Sequence, residues 1–302
     1  MVRSAIVGLV AVLLIAKVAT GLRFIMPNSV ERAETKEFSP DHTKNFDVRA
    51  ENGSIEIVGQ DDASANIGIT SVLQASAHDE EAAAAALNAM EVTIEGMEPG
   101  KEKETCKVGW RWKTPRQIDW SGSVRFKILA PEKVNVDCDT QNGAVTVTNL
   151  SGTARVKSQN GKIVAETSGN SLEARTQNGV IDAKYKGPHV QLHTHNGTIS
   201  ADLSHTRAID GEVTTQNGAI NLSVGDDTSC KLSASTVNGR VMMPNHKKGW
   251  LKRLSKSHEA HETLGNGGGT LKVAVQNGVI KVKHVKAGSD SDSSDDDEES
   301  DD

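Results

Sequence analysis

Asn-Gly pairs set in one shared residue pattern begin at Asn52, Asn142, Asn160, Asn178, Asn196, Asn217, Asn238 and Asn277. From Asn142 onward the intervals are 18, 18, 18, 21, 21 and 39 residues. A fixed period of this length marks a repeat architecture, in which each unit buries its apolar face only against its neighbours. The last interval equals one 18-residue unit plus one of 21, as if one turn had lost its marker. Between Asn52 and Asn142 an insertion breaks the period.

Aligned on the Asn, the units share their inward positions. Four residues before it stand Val48, Cys138, Val156, Ala174, Leu192, Val213, Ala234 and Val273. Two before it stand Ala50, Thr140, Ser158, Thr176, Thr194, Thr215, Thr236 and Val275. Three after it stand Ile55, Val145, Ile163, Ile181, Ile199, Ile220, Val241 and Ile280. Five after it stand Ile57, Val147, Ala165, Ala183, Ala201, Leu222, Met243 and Val282. Polar residues such as Arg155, Lys157, Lys162, Glu173, Arg175 and Asp182 lie between them. This is the period-two alternation of half-buried strands on both sides of Asn-Gly. The phase slips by one residue across the pair, as expected if Asn and Gly turn a corner through positive φ.

Two architectures satisfy the pattern. One is an antiparallel meander of hairpins with type I′ Asn-Gly turns. The other is a parallel β-solenoid in which each unit is one coil, like residues stack at about 4.8 Å, and the Asn amides bond from coil to coil. The equal intervals, and Thr-Gln-Asn-Gly at 140, 176 and 215, favour stacking of like on like. The expected fold is therefore all-β, a right-handed parallel β-helix or β-solenoid with coils of about 18 residues and a small α/β insertion. Aromatics form only 3% of the chain against 27 glycines, which suits a thin, regular core.

The expected organisation is a signal peptide or N-terminal anchor at 1–22, a linker at 23–45, the repeat domain at 46–286 and a disordered acidic tail at 287–302. Arg3, the apolar run Ala5–Ala16 and small residues after Lys17 describe a secretory signal. The run is short of the roughly 20 residues of a membrane span, and residues 4–22 are an anchor if they are not cleaved. Export outside the cytoplasm follows in either case. The net charge of −6 is an average. Residues 289–302 hold nine acids and no base, which leaves 34 bases against 31 acids in the body, or +3. That balance, with no recognisable module, excludes nucleic acid as a partner. Cys106, Cys138 and Cys230 are too few for a disulfide framework and permit at most one bridge.

In the insertion, 61–133, Ser76 is the expected helix N-cap, with Asp79, Glu80 and Glu81 in the first turn. Glu91-Val-Thr-Ile-Glu and Val124-Arg-Phe-Lys-Ile-Leu read as strands. Trp110, Trp112 and Trp120 form either a sugar- or partner-binding patch or, the favoured reading, a cap over the open end of the solenoid. The stretch 245–269 reads as irregular and basic, a solvated loop with an anionic membrane surface as the alternative contact.

No catalytic, cofactor-binding or metal-ligating set is expected. His193, His195 and His205 lack a closed ligand set, and His258-Glu-Ala-His261 lacks the i, i+4 spacing of a metalloprotease helix. Asp137 and Asp139 are the best acidic pair for a carbohydrate-active β-helix. The eight Asn-Gly corners are structural positions.

The run Val134-Asn-Val-Asp-Cys-Asp-Thr-Gln-Asn-Gly-Ala-Val-Thr-Val-Thr-Asn-Leu-Ser-Gly152, followed by repeated Thr-x-Asn-Gly-x-Ile, resembles the bacterial putative-adhesin family, a domain of unknown function with β-strand repeats. Phe46-Asp-Val-Arg-Ala-Glu-Asn-Gly-Ser-Ile, the acidic-alanine helix and Val124-Arg-Phe-Lys-Ile-Leu-Ala-Pro131 are similar to it as well. The likeness covers about residues 46–285. It implies a β-helical, extracytoplasmic domain with an adhesive or envelope-associated role and brings no catalytic residues. The expected function is thus a non-catalytic envelope binding scaffold for a protein or polysaccharide ligand, with no cofactor. The alternatives are a polysaccharide lyase or hydrolase, and a membrane-anchored envelope-stress or regulatory partner.

Overall fold

The computed structural model describes residues 13–16, 28–40, 43–97, 103–243 and 258–286. The acidic tail, the basic residues 244–257 and most of the signal-like segment lie outside the described residues.

The elements in chain order are β1 (Leu13–Ala16), β2 (Asn28–Phe38), β3 (Asn45–Asn52), β4 (Ile55–Gln60), β5 (Ile67–Ala77), α1 (Glu80–Ala89), β6 (Met90–Glu95), β7 (Thr105–Trp112), β8 (Ser121–Pro131), β9 (Asn135–Asn142) and β10 (Val145–Leu150). They continue with β11 (Ala154–Asn160), β12 (Ile163–Thr167), β13 (Ser171–Asn178), β14 (Ile181–Tyr185), β15 (His189–Asn196), β16 (Ile199–Leu203), β17 (Asp210–Gly225), β18 (Cys230–Met242), β19 (Glu259–Leu264) and β20 (Thr270–Val285).

The chain is a parallel solenoid with two strands per coil. In the regular part, β9, β11, β13 and β15 pair in parallel, with Cys138 beside Val156, Val156 beside Ala174 and Ala174 beside Leu192. Across the Asn-Gly corner β10, β12, β14 and β16 do the same, with Val145, Ile163, Ile181 and Ile199 in one row. Asn-Gly thus joins the two strands of one coil and closes no hairpin, so the meander is excluded. The inward residues of both strand stacks meet in one apolar core.

The corners of the regular coils are held by three repeating contacts. The Asn side chains form a continuous ladder in which Asn142 donates to Asn52, Asn160 to Asn142, Asn178 to Asn160 and Asn196 to Asn178, each at 2.9 Å. The hydroxyls of Thr140, Ser158 and Thr176, two residues earlier, are buried but satisfied, since they donate to the carbonyls of Gly53, Gly143 and Gly161 at 3.2–3.3 Å. This explains Thr or Ser where the core otherwise takes aliphatic residues, because an unpaired buried hydroxyl is costly. The third contact concerns the glycine. A Cβ on Gly161 or Gly179 would lie 2.0 Å from the carbonyl oxygen of the glycine one coil below. Glycine is required there by close approach. Positive φ, expected above at both residues of the corner, occurs at Gly53, Gly197, Gly218 and Gly278 but at none of the corner Asn residues, since among the described non-glycine residues only Asn149 has it, at 56°.

The stacking order departs from the chain order at both ends. β20 lies between β17 and β18, pairing in parallel with both. Its Asn277 donates to Asn217 and accepts from Asn238, each at 2.8 Å. The 39-residue interval is therefore not a coil with a lost marker. It holds β19, which pairs antiparallel to β18, within the stretch expected to be irregular. At the other end β3 pairs with β7 on one side and β9 on the other, and β4 with β8 and β10. The insertion thus supplies a coil, β7 and β8, beneath the first Asn-Gly unit.

Antiparallel strands cover the ends: β6 on β7, β19 on β18, and β5 followed by β2 on β8. Such covers keep a solenoid's open edges from pairing with other chains. Residues 23–45, expected to be a linker, thus contain an eleven-residue strand. β1, inside the signal-like segment, pairs antiparallel with β2. The helix is capped by Asp79, whose carboxylate accepts from Ala82 N at 2.7 Å. Ser76 cannot cap it because β5 runs on to Ala77.

The cysteines are all buried, and no disulfide joins them. Burial pushes the Cys138 thiol above its ordinary range, and that of Cys230 up to about 11. Reactivity follows the thiolate, so the native protein at neutral pH is expected to show no thiol titratable with Ellman's reagent, and three in denaturant. Rapid reaction of a thiol in the native state would contradict the buried positions.

Candidate functional site

Outward positions of the first stack carry charged side chains in register. Asp47 lies beside Asp137, and Arg49 beside Asp139, on the paired strands β3 and β9. The Arg49 guanidinium draws three carboxylates together: Asp47 at 2.5 Å, Asp139 at 3.1 Å and Asp137 at 3.3 Å. Partial burial opposes its charge, but the hydrogen bond to Asp47 and the charges of Asp137 and Asp139 outweigh that and raise its pKa. The pairing continues along the stack, where Arg155 and Arg175 both hold Glu173, at 2.8 and 2.7 Å. Burial would raise the Glu173 carboxyl, and the two guanidinium hydrogen bonds bring it below its usual range. Asp137 and Asp139, the best acidic pair in the sequence, are therefore both engaged by one arginine.

Beside Arg49 the surface opens. β7 follows β3 only from Thr105 to Val108. It then pairs with β6 alone, placing Trp110 opposite Val92 and Trp112 opposite Met90. Alternation puts Trp110 and Trp112 on the same side as Cys106 and Val108, but the core facing them is thin, with Ala50 at that level. Two indoles do not fit where other coils place Ala, Val or Thr, so the strand leaves the stack. Trp112 packs edge-on to Trp110, with centroids 5.6 Å apart, and lies 5.8 Å from Trp120. Gly122 makes room, since a Cβ there would stand 2.8 Å from the Trp112 ring.

The result is a cleft of about 400 Å³ lined by Arg49, Ala50, Glu51, Trp110, Arg111, Trp112, Asp139 and Gln141. A second hollow of about 250 Å³ shares Arg49 and Trp110 and adds Asp47, Thr93, Glu95, Lys107 and Gly109. The tryptophan segment thus divides. Trp120 is buried within the cap over the first coil, while Trp110 and Trp112 are half-buried and line an opening. Behind them the loop before β8 is tied down by His78, which contacts Asp119 and lies 2.8 Å from Asp79.

The other sequence candidates do not converge. His193 and His195 lie edge to face at 5.5 Å on the outer surface, and His193 Nδ1 is 2.7 Å from the Thr214 hydroxyl. Burial, then the charges of His195 and Arg175, lower the His193 pKa. His205 lies in the loop after β16, and His261 pairs with Glu259 at 2.9 Å. Among the described residues no group of three or more His, Cys, Asp or Glu is placed to hold a metal. Sequence reasoning missed Arg49. Its signal was available as Asp47-x-Arg49 on outward positions of the unit ending in Asn52, but it gained meaning only when β9 was seen to lie alongside.

A family model described as Toastrack DUF4097 matches residues 120–283. No curated protein matches the chain. Solved structures resemble it, three of them as follows. A "putative cell adhesion protein" from Clostridium sporogenes is 11% identical, with 84% of this chain and 100% of that one covered and a TM-score of 0.34. A "putative adhesin" from Bacteroides fragilis is 11% identical, with 84% and 97% covered and a TM-score of 0.39. A "putative adhesin" from Parabacteroides merdae is 12% identical, with 84% and 96% covered and a TM-score of 0.38.

Proposed function

The chain belongs to the Toastrack DUF4097 family, and from that premise we propose that it is an adhesin-like, non-catalytic binding scaffold that works outside the cytoplasm through the outer faces of its solenoid. The observation that carries this reading is the state of the surface charges. Arg49, Arg155 and Arg175 hold Asp47, Asp137, Asp139 and Glu173 in a coil-to-coil network, which fixes the shape of a face without leaving an acid and a base poised over one substrate bond. A rigid surface of this kind binds with little loss of side-chain freedom. The signal-like residues 3–21 support the location.

Two measurements test the reading. In cell fractionation the protein is expected outside the cytoplasm, and retention in the cytosol would sink the location. Purified protein incubated with polysaccharides is expected to release no product while binding saturably to envelope preparations. Turnover that disappears in Asp137→Asn or Asp139→Asn would overturn the scaffold in favour of an enzyme.

A further inference from the structure

We propose that the cleft between β3 and β7 binds an uncharged glycan segment, laid across Trp110 and anchored by hydrogen bonds to Arg49, Glu51 and Gln141. The assignment rests on the scaffold reading above and names the ligand class of its opening.

Charge decides the class first. The cleft is lined by two arginines, Arg49 and Arg111, and two acids, Glu51 and Asp139, and the adjoining hollow by Asp47, Glu95, Arg49 and Lys107. Both are balanced. Arg49 is already met by three carboxylates, and Arg111 Nε by Glu91 at 2.9 Å. An anionic ligand would have to displace the acids that already hold Arg49 and Arg111. Glu51, Glu95 and Lys107 make no ion pair among the described residues, but each hollow holds as many acids as bases, so neither an anion nor a cation finds a net counter-charge.

Shape and chemistry narrow it further. Ligand sites combine apolar walls with a few placed polar groups. Here Trp110, Trp112 and Ala50 supply the walls, and the planar groups of Arg49, Glu51 and Gln141 the polar fringe. A pyranose ring has the matching surface, with C–H patches that lie on an indole and ring hydroxyls that both donate and accept. Arg49 has five N–H groups and makes three contacts to carboxylates, so donors remain. The two hollows meet at Trp110 and Arg49, which suits a chain of several sugars better than a single ring. The site is preorganised, because Arg49 is fixed from three sides and the indoles are fixed against each other and Gly122.

The test is calorimetric titration of the full chain with a panel of neutral oligosaccharides, cellohexaose and chitohexaose among them, and with oligogalacturonate as the acidic probe. Saturable binding of a neutral member that survives high salt is expected, because no ion pair is formed with the ligand. Trp110→Ala should weaken it at least about thirtyfold, as loss of a central aromatic anchor does. Glu51→Gln, on an exposed strand position that does not perturb folding, should weaken it about tenfold. Binding confined to the acidic probe, no neutral ligand in the panel, or equal affinity in both variants would overturn the assignment. Envelope binding that persists in Trp110→Ala would overturn the glycan cleft and leave the scaffold standing, whereas absence of envelope binding by the unaltered chain would remove the scaffold itself.

Discussion

Gly179→Ala is expected to destabilise the protein by more than about 4 kcal/mol, in the range reserved for substitutions that break a structure's packing. The added Cβ would lie 2.0 Å from the Gly161 carbonyl oxygen and 3.1 Å from the Thr176 hydroxyl. Both neighbours are fixed: Gly161 N donates to Asn178 O, and Thr176 Oγ1 donates to Gly161 O. The coil cannot shift outward without breaking pairs on both sides, since β13 is bonded to β11 and β15. Asn178→Ala provides the scale. It removes one rung of the ladder, two hydrogen bonds at an exposed corner, and should cost about 1–2 kcal/mol. Urea midpoints of the two variants against the unaltered chain make the comparison. Gly179 is not in the left-handed region, so a mild effect would mean that adjacent coils do not approach as closely as the structure has them.

Truncation after Gly269 is the second large effect. It removes β20, which a reading in chain order makes the final coil. Spatially it is interior, and its Leu271, Val273, Val275, Ile280 and Val282 are buried between β17 and β18. Each such side chain contributes about 1.5–3 kcal/mol of burial, and in a solenoid the loss falls on both adjoining interfaces. β18 would keep only its antiparallel partner β19. Hydrogen exchange is therefore expected to lose protection throughout Cys230–Met242 as well as at the face of β17. A chain ending at Lys286, which lacks the tail alone, is expected to keep it. If β18 stays protected in the shorter chain, it pairs with β17 directly, and the interleaved order is not what holds the end together.

These two predictions mark where sequence reasoning succeeds and where it stops. The corner was legible because every part of it is local and repeated. Period-two alternation sorts residues into inward and outward sets, and identical intervals align the sets coil on coil. The purpose of Thr140 or Thr176 was only half legible. They read as small core residues, but what keeps them is the carbonyl of a glycine in another coil. Ser76 was the expected cap and Asp79 a first-turn residue, and because β5 runs on to Ala77 the cap falls on Asp79 instead.

Of the Arg49–Trp110 cleft only the tryptophan wall was legible, as the patch weighed against an end cap, and Arg49 was not. The cleft's two walls are 61 positions apart in the chain. It exists because β7 lies against β3 for four residues and then leaves, and that depends on how much indole the opposing core can hold.

By itself, then, the sequence determined the unit: its length, its inward face and its Asn-Gly junction, and it favoured the parallel stacking of like on like that the strand pairing then decided against the meander. Those follow from hydrophobic alternation and from the geometry of a few residues in a row. Only the tertiary structure decided the order of the coils and the place of the opening. The rungs are chemically interchangeable, so Asn277 bonds as well between Asn217 and Asn238 as it would beyond them. Local residue chemistry does not distinguish those arrangements. The antiparallel covers at each end, and the two indoles at the edge of the thin core, do.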